Sequence, residues 1–150
     1  MISIIASKYN AAEVLPVPET ASKKALPIPW KMVPEHIMAV LTVFKEIGCD
    51  VTIGDSWVEV DARNKTLKPI SVTTLPYPGF PTDLQAPLMA TLASIEGNSL
   101  IQDTIYHDRF THIAELKRLG ADIQLNGNTA TIIGGKSLEG ADVMAPDLPA

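Results

Sequence analysis

The chain has 150 residues, of which 46% are hydrophobic and 19% are charged, and its formal net charge at pH 7 is −5. This composition is typical of one globular domain with a substantial core, and the lack of clustered Lys and Arg argues against nucleic acid as a partner. The single cysteine, Cys49, cannot form an internal disulfide, and residues 1–6 are too short an apolar run for a membrane span or a signal peptide, so we expect a cytoplasmic protein with no membrane partner.

Two parts of the chain differ in composition. Residues 1–32 contain four prolines among small and polar residues, which predicts a divergent loop or an extended arm. Residues 33–150 are expected to form the globular part, because apolar residues there recur at helical and strand spacing. This part opens with a helix between Pro34 and Gly48, since proline is favoured at a helix start and glycine just after its end.

A β-hairpin follows this helix, and the same arrangement recurs later in the chain. The first hairpin turns at Gly54. The later copy has a helix over about residues 108–119 and a hairpin that turns at Gly127. The segments 47–51 and 119–123 align at an offset of 72 residues, which indicates an internal repeat.

The segment between the copies completes the later unit. A strand is predicted near residues 70–73, a helix from about Asp83 to Gly97, and a strand over residues 99–102. The unit therefore reads β-α-β-α-β-β, and such a unit buries its sheet against its own helices. The chain holds about one and a half units, so we expect exposed apolar helix faces and either self-association or a complementing lobe.

Residues 75–81 should form a stiff, turned connection, because three prolines and a glycine fall within them. Thr82 and Gln85 have the spacing of a capping box, which places Asp83 in the first turn of the next helix. The N–H groups and dipole at a helix start favour an ionised carboxylate, and a charged carboxylate on a rigid loop can accept a proton from a substrate hydroxyl. The alternative is that Asp83 only complements the helix end.

A second polar segment, residues 103–109, joins a strand end to the following helix. Loops that leave strand ends commonly carry binding groups in α/β proteins. The alternative is a plain polar connection in which Asp108 helps to start the helix.

The run at residues 74–86, Thr-Leu-Pro-Tyr-Pro-Gly-Phe-Pro-Thr-Asp-Leu-Gln-Ala, resembles the signature of the UDP-N-acetylglucosamine 1-carboxyvinyltransferase family of enolpyruvyl transferases. Further ordered matches lie at residues 103–110, 115–121 and 147–148, and the resemblance covers residues 33–150. It implies an α/β (α+β) fold, an inverted α/β barrel of βαβαββ repeats that is incomplete here. It also implies transfer of the enolpyruvyl group of phosphoenolpyruvate to the 3-hydroxyl of UDP-N-acetylglucosamine, the first committed step of peptidoglycan synthesis and cell wall biogenesis.

The resemblance implies roles for five residues. Asp83 corresponds to the base that accepts the hydroxyl proton, and Asp147 corresponds to a second carboxylate near the reacting hydroxyl. The positions of Ile105 and Tyr106 seat the nucleotide sugar, the first through its backbone and the second by packing beside it. Arg109 matches an arginine near that pocket. We expect no cofactor and no metal, because the histidines lack the spacing of a helical metal pair.

Three further features of the sequence are not expected to serve as site residues. Pro149 stands where the family has an arginine that helps to hold phosphoenolpyruvate, and proline has neither charge nor donor, which argues against binding of that anion there. Cys49 is expected to be a small core residue, distinct from the general acid that the family carries on a mobile loop. Residues 134–137 resemble the end of a phosphate-binding loop but lack its first glycine, so a strand and turn are expected there.

The chain is therefore predicted to be part of a catalytic lobe without turnover of its own, because it lacks the second lobe, the mobile acid loop and most of the cationic clamp. An alternative from another class is a non-catalytic, truncated binding or assembly module of the same fold. A further possibility is a different enolpyruvyl transferase, such as the shikimate-pathway enzyme, although the run at residues 77–83 points away from it.

Overall fold

The computed structural model describes residues 33–55, 57–106 and 108–144. The predicted arm at residues 1–32, together with Asp147 and Pro149, lies outside these ranges. Short 3₁₀ helices at Pro34–Ile37 and Thr82–Leu84 precede the first and second α-helices. In chain order the elements are α1 (Met38–Ile47), β1 (Asp50–Ile53), β2 (Val58–Asp61), β3 (Ser71–Thr74), α2 (Gln85–Ala93), β4 (Gly97–Asp103), α3 (His112–Arg118), β5 (Asp122–Asn126) and β6 (Thr129–Gly134). Within the described ranges, no helix has the length and apolar character needed to cross a bilayer.

Four strands form one sheet in the order β3-β4-β6-β5, in which β3 and β4 are parallel and the other neighbours are antiparallel. Side chains alternate across the pleat, so that one face of the sheet is buried. The register pairs Val72 with Ile101, Ile101 with Ala130, and Ile132 with Ile123, and all five residues are buried. The helices α2 and α3 contact this sheet and complete the predicted β-α-β-α-β-β unit.

The elements α1, β1 and β2 repeat the end of this unit. They correspond to α3, β5 and β6, and the two hairpins have the same strand register at the predicted offset, although β5 and β6 are longer than β1 and β2. Each helix ends in a glycine with a left-handed φ, +108° at Gly48 and +93° at Gly120. The N–H of each glycine and of the next residue donates to carbonyls at equivalent positions in its helix, which satisfies the helix end in the same way twice. The internal repeat is therefore confirmed.

One core joins the repeated half unit to the complete unit. Its buried side chains come from all three helices and from β3 to β6. The expectation of exposed apolar helix faces is wrong, because these faces turn inward: Val40, Leu41, Val43 and Ile47 of α1 are all buried. The exposed large apolar side chains of the described ranges lie mainly on strands and loops, and they are Val33, Met38, Ile53, Trp57, Leu75, Tyr77, Leu100, Tyr106, Leu125, Val143 and Met144.

Two helices are shorter than their patterns predicted. The helix α2 ends at Ala93, and Gly97 begins β4 instead of ending the helix. Ile95 fits the helical spacing because it is buried in the turn after the helix. The helix α3 begins at His112, later than predicted, and the buried Phe110 anchors the connection before it.

Candidate functional site

The carboxyl ends of the two parallel strands lie side by side. β3 ends at Thr74 and β4 ends at Asp103, and the register pairs these two residues. In α/β sheets, ligand sites form from the loops that leave neighbouring strands at this edge. Residues 75–81 follow β3 and residues 104–111 follow β4, so the proline-rich connection and the polar segment singled out in the sequence leave the sheet at one edge.

Asp103 is the centre of the hydrogen bonding at this edge, and it is fully buried, with 0% exposure. Its Oδ1 accepts bonds from the Thr74 hydroxyl at 2.8 Å and from the N–H groups of Ile105 and Tyr106 at 2.9 and 3.0 Å. Its Oδ2 accepts a bond of 2.6 Å from the Thr82 hydroxyl. Burial opposes the ionised form, but these four hydrogen bonds outweigh it and lower the pKa of Asp103. The ionised, buried carboxylate of Asp103 therefore links the segment after β3 to the loop after β4.

Further bonds hold the end of β4 in place. The N–H of Thr104 donates to the Thr74 hydroxyl at 3.1 Å, and the Thr104 hydroxyl donates to the Thr74 carbonyl. The N–H of Asp103 donates to the carbonyl of Asn128 at 2.9 Å, and the Asn128 side-chain amide donates back to the Asp103 carbonyl at 3.0 Å. Strand β3 and the turn between β5 and β6 thus support Asp103 from both sides.

The loop after β3 folds back on itself. The N–H of Leu75 donates to the Phe80 carbonyl at 3.0 Å, and the N–H of Gly79 donates to the Pro76 carbonyl at 2.8 Å. The bond Tyr77–Pro78 is cis. A Cβ at Gly79 would lie 2.4 Å from the Cβ of Leu75, so the turn requires glycine at this position. The predicted stiff connection is confirmed.

Thr82 does not act as a helix cap, so the capping-box prediction is wrong. It lies inside the 3₁₀ helix Thr82–Leu84, and its hydroxyl donates to Asp103. The helix α2 begins at Gln85 and has no side-chain cap. Gln85 is 1% exposed, and its Nε2 has no hydrogen-bond partner among the described residues. The Thr82 hydroxyl bonds to Asp103 instead of capping the helix, because an ionised carboxylate is a stronger hydrogen-bond partner than a neutral backbone group.

Asp83 stands on the solvent side of this framework. Its side chain is 71% exposed, and its Oδ1 lies 2.7 Å from a guanidinium nitrogen of Arg109, whose side chain is only 12% exposed. The guanidinium carbon of Arg109 lies 5.1 Å from the ring centre of Tyr106, within the range of a cation–π interaction. The structure therefore brings three of the predicted site residues into one cluster.

Ile105 lies beside this cluster and is held through its backbone N–H, which donates to Asp103. Asp147, the other predicted carboxylate, lies outside the described residues. Asp103 was not among the predicted site residues, although the sequence contains a signal for it. Ser99 and Ile101 lie on the inward face of β4, and Asp103 continues that alternation. The period of two along a strand therefore predicts that the Asp103 carboxylate is buried.

Two of the features set aside in the sequence, Cys49 and residues 134–137, have structural roles. Cys49 is partly buried against the core, and burial together with the charges of Asp50 and Asp61 raises the pKa of its thiol. Lys136 of the glycine-rich segment pairs with Asp122 at 2.9 Å, and the residues before it end β6. The strand expected there is confirmed, and the backbone after Gly134 is irregular, without the expected turn.

Comparison with known proteins identifies the family. The family model of EPSP synthase (3-phosphoshikimate 1-carboxyvinyltransferase) matches residues 30–149, which is most of the chain. The chain belongs to this family. Among its relatives in the family, it is 50% identical over 117 residues to UDP-N-acetylglucosamine 1-carboxyvinyltransferase of Deinococcus radiodurans. It is 47% identical over 119 residues to the protein of the same name from Hydrogenovibrio crunogenus.

These alignments cover most of the chain but a small share of the relatives. They include 78% and 79% of the chain, and 27% and 28% of the two relatives. The chain therefore spans between a quarter and a third of the length of the curated relatives it matches.

Solved structures of enolpyruvyl transferases share the fold. The enolpyruvyl transferase NikO from Streptomyces tendae aligns with a TM-score of 0.61 and 23% identity, over 66% of this chain and 22% of that one. EPSP synthase from Acinetobacter baumannii aligns with a TM-score of 0.56 and 18% identity, over 73% of this chain and 24% of that one. The predicted fold class, a partial enolpyruvyl transferase fold of mixed α and β structure, is confirmed.

Proposed function

We propose that the chain is part of the catalytic lobe of a cytoplasmic enolpyruvyl transferase of peptidoglycan synthesis, with UDP-N-acetylglucosamine as acceptor and phosphoenolpyruvate as donor. In this reaction the sugar 3-hydroxyl oxygen bonds to C2 of phosphoenolpyruvate, a proton adds to C3, and a base takes the hydroxyl proton. The tetrahedral intermediate then loses phosphate from C2 and a proton from C3, which gives the enolpyruvyl ether. The identity of 47% and 50% to relatives named for this transfer supports the choice of substrates.

The observation that carries the proposal is the position of Asp83. Its carboxylate is exposed at the edge of the sheet, on a 3₁₀ helix that a folded loop holds in place, and Arg109 fixes it at 2.7 Å. A general base must come within hydrogen-bond reach of the proton it accepts. The exposed carboxylate of Asp83 is accessible to a substrate hydroxyl, whereas the carboxylate of Asp103 is buried and engaged at both oxygens. Asp83 is therefore the proposed base.

The residues around Asp83 have separate proposed tasks in binding. The N–H of Ile105 is engaged by Asp103, so its carbonyl oxygen is the backbone group offered to the nucleotide sugar. Tyr106 is 53% exposed and offers a ring face for packing beside the nucleotide. Arg109 keeps Asp83 in position and adds positive charge for an anionic ligand. Asp147, outside the described residues, would assist at the reacting hydroxyl.

We also propose that the chain does not turn over phosphoenolpyruvate by itself. Pro149 stands at the position of a family arginine and supplies no charge for the anion. The isolated chain should therefore bind the sugar nucleotide and release no phosphate.

An amide NMR titration of the whole chain with UDP-N-acetylglucosamine tests this function. Shifts are expected at Asp83, Ile105 and Tyr106, and Asp83→Ala should weaken the apparent affinity about tenfold, because it removes a charged hydrogen-bond partner. The matched control is Asp122→Asn, which breaks an ion pair of 2.9 Å with Lys136 at the other end of the sheet and should leave the titration unchanged.

Two results would contradict the proposal. A wild-type spectrum that does not respond to the sugar nucleotide would remove the binding function. A phosphate-release assay with both substrates that gives a rate, abolished by Asp83→Ala, would show that the isolated chain is a complete catalyst.

A second candidate, an assembly module completed by another polypeptide, is favoured by the edge of β2. In the complete unit, β6 pairs with β5 on one side and β4 on the other, whereas its counterpart β2 pairs only with β1 among the described strands. The N–H of Gly54 donates to the Trp57 carbonyl, so the backbone groups of Val58 and Val60 face the unpaired edge of β2. We propose that a strand from a second copy, or from a complementing lobe, pairs there.

The variant Val60→Pro tests this candidate, because it removes an N–H that faces the free edge and spares the hydrogen bonds of the hairpin. In sedimentation velocity, the wild type should form dimers or larger species at concentrations where Val60→Pro stays monomeric. Val60→Thr keeps the N–H and serves as the control. A wild type that stays monomeric and also fails to bind a chain carrying the missing lobe would exclude assembly through this edge.

A further inference from the structure

We propose that Asp103 is a positioning residue, which holds the Asp83 loop and the Ile105 backbone in one geometry for the nucleotide sugar. This inference rests on the proposed function and adds to it a residue that touches no substrate. Asp103 is fully buried under the site, and its hydrogen bonds end on residues that adjoin the exposed groups. It acts through those neighbours.

The two oxygens of Asp103 hold different parts of the site. Oδ1 accepts hydrogen bonds from the hydroxyl of Thr74 and from the N–H groups of Ile105 and Tyr106. These bonds fix the loop after β4 to the end of β3. Oδ2 accepts the Thr82 hydroxyl at 2.6 Å, which fixes the start of the 3₁₀ helix that carries the proposed base. A carboxylate has about four acceptor positions, and this side chain receives four donors, three of them on Oδ1 and one on Oδ2.

The partly buried bond between Thr82 and Asp103 should determine the position of Asp83 more strongly than the surface ion pair does. The ion pair between Asp83 and Arg109 is 2.7 Å long, but 71% of the Asp83 side chain is exposed, so water and salt weaken the attraction. The bond from Thr82 to Asp103 is partly buried, and its acceptor is a fully buried, ionised carboxylate, which makes the bond roughly twice as strong as a neutral hydrogen bond. Thr82 directly precedes Asp83, so a fixed hydroxyl leaves the base little freedom.

No uncharged side chain of similar size reproduces this arrangement. Asparagine at position 103 would keep one acceptor oxygen and present an amide donor at the other place, so Thr82 would lose its ionised acceptor. The bonds that remain would be neutral and weaker. An aspartate is therefore required for both loops to be held at once.

The experiment uses the whole chain labelled with ¹⁵N, and the variants Thr82→Val, Thr82→Ser and Asp103→Asn. Thr82→Val keeps the shape of the side chain and removes the hydroxyl, while Thr82→Ser restores the hydroxyl. The matched control is Thr91→Val, which removes a hydroxyl that donates to the Pro87 carbonyl on α2, away from Asp103. Backbone order parameters of the free chain and its affinity for UDP-N-acetylglucosamine are measured for each.

The order parameters of Asp83 and Leu84 should be about 0.85 in the wild type and fall towards 0.6 in Thr82→Val and Asp103→Asn. The affinity should fall about tenfold in the same two variants, equivalent to ~1.4 kcal/mol. Thr82→Ser and Thr91→Val should match the wild type in both measurements. NMR reports on the folded molecules, so a loss of stability alone does not produce this pattern.

The outcomes separate this inference from the function on which it rests. Unchanged order parameters in Thr82→Val would overturn the positioning role whether or not the ligand binds. Lower order with unchanged affinity would also overturn it, because Asp103 would then stabilise a loop without serving the site. If the wild type does not bind the sugar nucleotide, the proposed function fails, and the order parameters still decide whether Asp103 holds the loop.

Discussion

At the scale of single residues, Asp103 keeps its charge in a place that water does not reach. Its four donors lower its pKa below the ordinary value of 3.8 despite the opposing effect of burial. A carboxylate whose pKa is lower in the folded than in the unfolded chain contributes stability above the unfolded pKa. That contribution is lost as the pH falls through the folded pKa.

The variant Asp103→Asn should therefore reduce the acid sensitivity of folding. The free energy of unfolding of the wild type should fall as the pH drops below about 4, and that of the variant should fall less, so the difference in stability between them narrows in acid. Urea unfolding at several pH values measures both. Asp61 titrates in the same window, because Arg63 lowers its pKa to about 2, and Asp61→Asn in both backgrounds is the control. A gap that stays constant with pH would contradict the prediction.

Single residues also show how far the site could be predicted. Asp83 and the loop of Ile105 were predicted from the chemistry of helix starts, from strand-end loops and from the family motif, and the structure places both beyond the ends of β3 and β4. The partnership of Thr82 was missed, because a hydroxyl three residues before Gln85 fits a capping box as well as it fits a distant carboxylate. Only the parallel pairing of β3 with β4 brings Asp103 within reach of Thr82, and a local pattern does not contain that pairing.

At the scale of elements, Gly48 and Gly120 both terminate a helix, α1 and α3 respectively, but the atoms packed around them differ. Both have left-handed φ values, which favour glycine over any residue with a Cβ. A Cβ at Gly48 would lie 3.2 Å from the Thr66 carbonyl oxygen, whereas the nearest atom to a Cβ at Gly120 would be the Ser137 carbonyl oxygen at 3.9 Å. The first position is restricted by space as well as by φ.

The substitution Gly120→Ala should lower the free energy of unfolding by about 1–2 kcal/mol, the cost of a left-handed conformation with a Cβ. Gly48→Ala should cost more, because the added methyl group also presses on the Thr66 carbonyl. Urea unfolding of both variants gives the comparison. Gly140→Ala should have little effect, because no atom of the described residues lies within 4 Å of the added Cβ. Equal costs at the two caps would show that the close contact relaxes freely.

The sequence predicts which helices and strands exist, but it predicts the residues at which they begin and end less well. The glycines at the ends of α1 and α3, together with the repeat offset, located both hairpins in the sequence. Ile95 extended the predicted helix beyond Ala93, because a buried residue after a helix end can satisfy the helical spacing. The start of α3 moved for a similar reason, since the anchor at Phe110 precedes the helix and does not belong to it.

At the scale of the whole molecule, the half unit and the complete unit share one core. Val43 of α1 and Met89 of α2 belong to the same buried cluster. Cooperative unfolding is expected when the parts of a small domain bury one common core. The hairpin of β1 and β2 should thus unfold together with the large sheet.

The variants Val43→Ala and Met89→Ala test this cooperativity. Met89 is fully buried, so its truncation should cost about 2–5 kcal/mol, and Val43→Ala should also lower stability. In each variant the amide signals of the first hairpin and of β5 and β6 should disappear at one urea concentration. Glu46→Ala, at an exposed position of α1, is the control. Earlier loss of the first hairpin in Val43→Ala would show that the half unit unfolds separately.

The repeated hairpin also means that two strands can compete during folding for pairing with β4. These strands are β2 and β6, which hold corresponding positions in the two hairpins. If β2 took the place of β6, Val58 would replace Ala130, which has no exposed surface and lies opposite Ile101. The added methyl groups would overfill the core at a cost of about 1–3 kcal/mol. The small side chain of Ala130 therefore makes the native pairing the more stable one, and a chain with two near-copies of one motif reaches a single arrangement.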